Sequence, residues 1–529
     1  MTRGRELVSE LFSRIEPVFF CLLVFVSLIP VLASEYFPTV DGPSHLYNAR
    51  LIAELWLSPG GEISEFLQFN PTFSPNWTGH LLLAALMTFT SAFWAEKIIL
   101  TIYLIGLPLG IRSVLMARDV GDVRWLYLIF SFSYSYLFHY GFFNFNIGVV
   151  LFFFGLSFWL NNQENYCAQS FMKQGLIATL IALSHPFAFA LYLVALFVLN
   201  LTLFLPKVLK GVESYKTILR FGVFQLAYLS VGILITTYFV VAESSLRAKA
   251  AFIAPADLFS SLKYVMPIKG IEEEAYHWPS KILLYMFGFG LILTAVKFFK
   301  EKKKFKLFQT PWFILTLVTL VLIFAIPDYL GSAGFISARL MLFFFFFLIL
   351  FLAECKLPDW FSNVVFALSV ALSVWSVKHN YASISNASKT ASELVNASSK
   401  IEPFSTILTV TSRESKPFVH VSNYLAVDNP VILMYNYEAA LPYFPLTWKY
   451  SNIYPHQLGE MSPSDCVPWI GGKRSGEAQQ IDYICFIDEP EIDDSDVLNC
   501  QDELTINLKK YYQPIFESSS EAVRIYKRN

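Results

Sequence analysis

Apolar runs the length of a bilayer crossing recur through the first 377 residues of this chain. They leave few folds open. Lipid offers no water to bond a backbone, so only helices and closed barrels cross it, and one helical crossing takes about 20 apolar residues. The runs lie at about 17–34, 79–94, 98–117, 125–140, 142–160, 174–206, 221–241, 282–299, 308–326, 336–353 and 360–377. Composition agrees, with 55% hydrophobic residues, 15% charged residues and 52 Phe. A soluble chain carries about 25% charged residues. The expected fold is an α-helical polytopic membrane protein. A net charge of −2 gives no general attraction to nucleic acid, and no basic tract joins a turn or zinc motif of a nucleic-acid binder.

Two of the runs are ambiguous. The 79–94 run is short and contains His80, and the 174–206 run is too long for one helix and is interrupted by His185-Pro186. Either 79–94 is a juxtamembrane or re-entrant helix and 174–206 is a pair of short spans, or 79–94 crosses and 174–206 is one kinked helix. Both readings give eleven spans. Positive charge separates them. The first puts Arg118, Arg124 and Lys173 on the inner side, with Lys207, Lys210, Lys216, Arg220, the basic run 297–306 and Lys356. It predicts eleven transmembrane helices, the N-terminus inside and the C-terminus outside. Arg3, Arg5 and Arg14 flank the first run and no small-x-small site follows it, so a retained first span is expected.

The predicted outer face carries a first loop (35–96), corners at 139–146 and at His185, a loop at 242–280 and a corner at 327–335. Residues 1–377 form the transmembrane core, 378–400 read as a polar linker, and 401–529 as a small soluble α/β domain on the outer face. Its strands are "STILTV", "PVILMY", "DYICFI" and "AVRIYK". Cysteines are sparse and no CxxC or His/Cys cluster occurs, so structural zinc is not expected. An oxidising compartment would allow one disulfide among Cys466, Cys485 and Cys500, whose pairing the sequence does not encode.

The residues that could carry chemistry collect at this outer boundary. In "EYFPTVDGPSHLYNARLIAELW", Asp41 and His45 are four apart, as are Arg50 and Glu54, so each pair shares a helix face. Asp41 reads either as a helix cap before Pro43 or as a carboxylate acting as general base or cation ligand. His80 in "SPNWTGHLLLAALM" is a polar cap or a site residue. The same two readings hold for His139, Asn144 and Asn146 in "FHYGFFNFNIG", and for His185 in "SHPF". Lys249 and Lys263 lie in a mixed-charge loop, either solvated or a flap. Arg339 at the head of "RLMLFFFFFLILFLA" either snorkels or binds phosphate. No P-loop, nucleotide fingerprint, zinc-protease His pair or serine-hydrolase elbow is present.

These pieces, in this order, resemble the GT-C class of glycosyltransferases. That class includes the protein O-mannosyltransferases and the lipid A aminoarabinose transferases, polytopic proteins that take sugar from a polyprenyl-phosphate carrier. Their signature acid follows the first span, where this chain has "PTVDGPSHLYNARLI" with Asp41. "SPNWTGHLLLAAL" looks like their juxtamembrane helix, "FHYGFFNFNIGVVLFFFGLSFWL" resembles their short pair of spans, and Arg339 in "GFISARLML" is similar to their carrier-phosphate ligand. The chain departs from the better-known members in its lone Asp41 followed by His45, and in Asn144 and Asn146 where an Asp is frequent. It is most similar to a poorly characterised bacterial branch, and "NYEAALPYFPLTWK" resembles a tail feature of that branch with no assigned role.

The resemblance implies inverting sugar transfer at the outer face of a bacterial inner membrane, with the tail domain periplasmic. Asp41 is then the base, with a divalent cation (magnesium or manganese) at Asp41 as the one cofactor in view. Arg339, with Lys249 or Lys263, neutralises the leaving phosphate. His45, His80, His139, Asn144 and His185 are substrate-binding. The implied partners are a polyprenyl-phosphate-sugar donor, a glycan, lipid or protein acceptor, and membrane lipid, with no nucleic acid. Two other classes stay open: a lipid-linked glycan flippase, polymerase or transporter, and a non-catalytic membrane assembly protein.

Overall fold

A computed structural model describes residues 2–118, 121–163, 167–212, 214–244, 250–300, 310–331, 333–411, 415–449, 452–453, 456–457, 481–488 and 508–529. The chain divides into two compact units, Met1–Pro30 with Leu100–Ser383, and Val31–Ile99 with Ile384–Asn529.

The first apolar run forms α1 (Thr2–Ser27) and α2 (Ile29–Ala33), and the first loop carries α3 (Gly42–Leu57), α4 (Ile63–Phe66) and α5 (Thr78–Met87). Then come α6 (Ala92–Arg118), α7 (Phe130–Ser133), α8 (Tyr136–His139), α9 (Phe143–Asn162), α10 (Ala168–Ser184) and α11 (Pro186–Leu209). The series ends with α12 (Tyr215–Ser244), α13 (Pro255–Lys263), α14 (His277–Lys300), α15 (Pro311–Ala325), α16 (Ile336–Glu354) and α17 (Asp359–Ser398). The chain is a helical, multi-pass membrane protein.

Among the described residues, eight helices are long and apolar enough to cross a membrane, where eleven were expected. Three expected spans account for the difference. The 125–140 run is no continuous helix: a 3-10 turn at Val123–Ile129 leads into α7 and α8. α10 and α15 have 17 and 15 residues, short for a crossing of about 20. The 174–206 run does break at His185, whose extended φ of −161° precedes Pro186 at the start of α11. At 79–94 stands the ten-residue α5, about 15 Å long and too short to cross.

The centre of the first unit is α16. Its Phe run is apolar on every side, and a helix of that kind must be enclosed by protein or lipid. Here protein encloses it, with 94% of its apolar window buried against 17% for Ile218–Val241 in α12. Phe343 packs on Phe152 at 4.8 Å between centroids, and Phe346 on Phe132 and Phe153. α6 and α9 approach closely at Gly106, where a Cβ would meet Val150 at 2.6 Å. One ion pair ties the N-terminal helix in. Glu16 accepts two bonds from Arg112, at 2.6 and 2.7 Å, and a third from the Tyr127 hydroxyl at 3.0 Å.

The second unit joins the first loop to the tail, which the sequence reading kept apart. Strand β1 (Leu67–Phe69) pairs antiparallel with a tail strand at Leu446–Trp448. In chain order the tail holds β2 (Thr406–Thr411), β3 (Ile432–Leu433), that Leu446–Trp448 strand as β4, β5 (Asn452–Ile453), β6 (His456–Gln457), β7 (Tyr483–Ile487), β8 (Tyr512–Glu517) and β9 (Val523–Arg528). Five of them form one sheet in the order β3-β2-β7-β9-β8. β2 runs parallel to β3 and β7, and β9 antiparallel to β7 and β8. All four expected strands are present, and β8 is an addition with a bulge at Pro514, where the missing N–H interrupts the ladder. Cys485 is buried in β7, while Cys466 and Cys500 lie outside the described residues.

The expected polar linker is a helix instead, since α17 continues to Ser398. Ile384, Ala387, Ala391 and Leu394 recur at three- and four-residue spacing and are fully buried, so this stretch presents a core face. At the other end of the unit, the Lys97 ammonium donates to the carbonyls of Val31 and Ser34 at 2.8 and 2.5 Å, closing the C-terminus of α2.

Removing one partner of a buried pair leaves the other charge uncompensated, at a cost of about 3–5 kcal/mol. Glu16→Leu therefore lowers the melting temperature of the detergent-purified protein, followed by Trp fluorescence. The double variant Glu16→Leu/Arg112→Met recovers most of the loss; equal melting of the single variant and wild type would refute this account of the pair.

Candidate functional site

Asp41 stands at the N-cap position of α3, yet its side chain makes no capping bond. Thr39 supplies that bond, its hydroxyl accepting from the Gly42 N–H at 3.1 Å. The cap reading of Asp41 is thus not realised, and the carboxylate is left for other partners. The Tyr437 hydroxyl hydrogen-bonds to it, and the His420 Nε2 lies 3.6 Å away.

One helical turn on, His45 points its Nδ1 at Glu438 Oε1, 2.6 Å away. His80, from α5, points its Nε2 at Glu438 Oε2, 2.8 Å away. The two imidazole rings meet edge to face, with centroids 4.5 Å apart, and Phe444 packs on both. Glu438 and His80 are 0% exposed and His45 6%, so this is a dry cluster. The i,i+4 spacing read from the sequence puts Asp41 and His45 one turn apart at the start of α3, and α5 brings His80 to His45. Tyr437 and Glu438 fall within "NYEAALPYFPLTWK", the tail feature without a role.

The network around the cluster fixes its parts. Asn48 of α3 and Asn436 exchange two amide bonds, at 3.0 and 2.8 Å. The Tyr47 hydroxyl donates to the Val431 carbonyl and accepts from the Leu433 N–H. Trp77, before α5, donates its indole N–H to the Tyr443 carbonyl at 3.0 Å. His420 stacks on Tyr437 with ring centroids 4.8 Å apart.

The two carboxylates live in opposite fields. Burial pushes both up. For Glu438 the His45 and His80 imidazoles outweigh burial and hold the carboxyl down to about 2. Asp41 is pushed up to about 6, because burial and the nearby Glu438 charge exceed the help from His45 and Tyr437. Burial holds His420 down to about 4 and also lowers His80. Asp41 keeps 22% of its side chain exposed. A magnesium-type cation takes about six oxygen ligands. Beside Asp41 stand an imidazole and a phenol, and Glu438 is engaged by two imidazoles, so the residues at Asp41 do not fit such an ion.

The other expected site residues lie in the first unit. His139 Nε2 contacts Asn380 Oδ1 at 2.6 Å, and the Tyr276 hydroxyl donates to the same oxygen at 3.4 Å. Asn144 and Asn146 are buried in the first turn of α9, and neither amide atom of Asn146 has a hydrogen-bond partner among the described residues. His185 sits at the α10–α11 break against the Phe145 ring. Arg339 does not snorkel: it is 8% exposed, lies over the Phe142 and Phe145 rings and donates to the Gly334 carbonyl. Lys263 is exposed at the end of α13, and Lys249 falls outside the described residues.

Glu438 carries a stability signature of definite sign. Its folded pKa of about 2 lies below the ordinary carboxyl value of 4.5, so its contribution is present above pH 4.5 and is lost as pH falls towards 2. The melting-temperature gap between wild type and Glu438→Gln should therefore narrow over that window; a gap constant with pH would show that Glu438 does not carry the linkage.

No family model matches this chain, and no curated protein matches it.

Proposed function

We propose that this protein is a membrane glycosyltransferase that moves a sugar from a polyprenyl-phosphate carrier to an acceptor, with Asp41 as general base. The observation that carries the reading is the Asp41 carboxylate itself. It follows the first apolar segment, makes no cap, and stays reachable in a mostly dry pocket among Tyr437 and His420. A carboxylate so placed can accept a proton near neutral pH.

In the proposed step Asp41 takes the proton of an acceptor hydroxyl or amine. The freed lone pair attacks the sugar C1 from the face opposite the phosphate. The new bond to C1 forms as the C1–O bond to the phosphate breaks, and polyprenyl phosphate leaves with that electron pair. Configuration at C1 inverts. His420, neutral and beside Asp41, accepts or donates a hydrogen bond to the sugar or acceptor. The resemblance gives Arg339, in the first unit, a phosphate-binding role that is independent of the Asp41 assignment. Its buried guanidinium has an Nε without a protein partner among the described residues, which suits an anion.

Asp41→Asn keeps the shape and removes the base, so transfer to acceptor should fall by about 100-fold or more while expression and melting temperature hold. Full activity in that variant refutes the assignment, whereas loss of transfer separates the reading from a non-catalytic assembly role. Arg339→Gln should raise the KM for the carrier-linked donor. The rate carries a second signature: the base must be deprotonated, so kcat/KM should rise with pH through about 6. A limb centred near pH 4 would point to a carboxylate in an ordinary environment and away from Asp41.

A further inference from the structure

His45, His80 and Glu438 are more than a hydrogen-bonded triad. We propose that they form a binding site for a zinc-type divalent cation, which ties α3, α5 and the tail turn at Glu438–Ala440 together. Among the described residues these three offer the one cluster of His, Cys, Asp or Glu ligand atoms that lie within 4.8 Å of one another. Each comes from a different segment of the chain, and each is buried.

The geometry lies within a small adjustment of an ion site. Tetrahedral ligands bonded at 2.0–2.1 Å stand about 3.3 Å from one another. The two N···O separations are 2.6 and 2.8 Å, so each opens by only about 0.5–0.7 Å to reach that tetrahedral spacing. The rings aim one nitrogen each at the carboxylate, His45 at Oε1 and His80 at Oε2, and an ion would take the place of these two hydrogen bonds. The competing occupant of the same space is a pair of protons, with Glu438 accepting from both imidazoles.

The donor set selects the class of ion. Two imidazole nitrogens and one carboxylate suit zinc and its transition-metal neighbours, while magnesium and calcium prefer all-oxygen shells. Three protein ligands leave a fourth position for water. The spacing 45, 80 and 438 matches no short zinc motif, which is why the sequence alone suggested none.

The test uses the full chain in detergent, stripped with a chelator and titrated with zinc chloride alone, with bound metal counted by elemental mass spectrometry. About one zinc per chain is expected, and cobalt(II) in its place should show the visible bands of a four-coordinate site. Loss of a supporting partner costs a metal site 10–100-fold, so loss of a direct ligand in Glu438→Gln or His80→Ala should weaken zinc by about 100-fold or more. His420→Ala, an imidazole of the same pocket outside the ligand set, should keep the stoichiometry. A monodisperse wild-type chain that takes up no zinc overturns the proposal, whether or not the variants fold. So does a Glu438→Gln chain that binds zinc as well as wild type. Metal content is read without any activity, so failure here leaves the transferase reading standing, and failure of that reading leaves the ion site standing.

Discussion

A carboxylate sealed from water must find donors, and Glu438 finds two imidazoles. An unpaired buried charge costs several kcal/mol, so the tail turn that carries Glu438 is stable only where His45 and His80 converge. That requirement draws together positions 45, 80 and 438 and makes the first loop and the tail one unit. The rest of the interface follows from it. Asn48 meets Asn436, Tyr47 bridges the backbone at Val431 and Leu433, and β1 finds β4. Tyr437, one residue before Glu438, is thereby delivered to Asp41.

The first unit obeys the same rule in a drier medium. Glu16 is met by Arg112 and Tyr127, and Glu354 by Arg118 and the Trp312 indole. Charges in span helices are tolerated when a fixed partner replaces water. Arg339 is the partial exception. One carbonyl and two aromatic faces hold it, and its Nε is unmatched among the described residues. A guanidinium left in that state is a reason to expect an anion.

Much of the fold was legible because periodicity and punctuation are local. The long helices follow the apolar runs, the break at His185-Pro186 follows from proline, and four sheet strands follow from β-branched and aromatic runs. The misses are equally physical. The 125–140 run is apolar enough to span, but burial within the protein lets its backbone find partners as a 3-10 turn and two short helices. The 378–400 stretch is polar in composition, and its core face hides in small residues, Ala387 and Ala391 among them. At the site, the Asp41–His45 spacing was visible, because helical neighbours are written four apart. Glu438 and His420 were not, since a contact across 358 or more residues leaves no local trace.

In the proposed transfer, two carboxylates in one pocket with opposite pKa shifts divide the labour. Where environments push such groups apart, the one held far from neutrality serves structure and the one moved towards it serves proton transfer. Glu438, held at about 2 by its imidazoles, stays an anion throughout any physiological cycle and is spent on architecture. Asp41, at about 6 and still a fifth exposed, is the group that the proposed transfer uses as its base. The Glu438 charge is itself one reason that the Asp41 value is high. The Glu438 charge therefore bears on Asp41, and a change at Glu438 should register in the titration of Asp41 as well as in the stability of the unit.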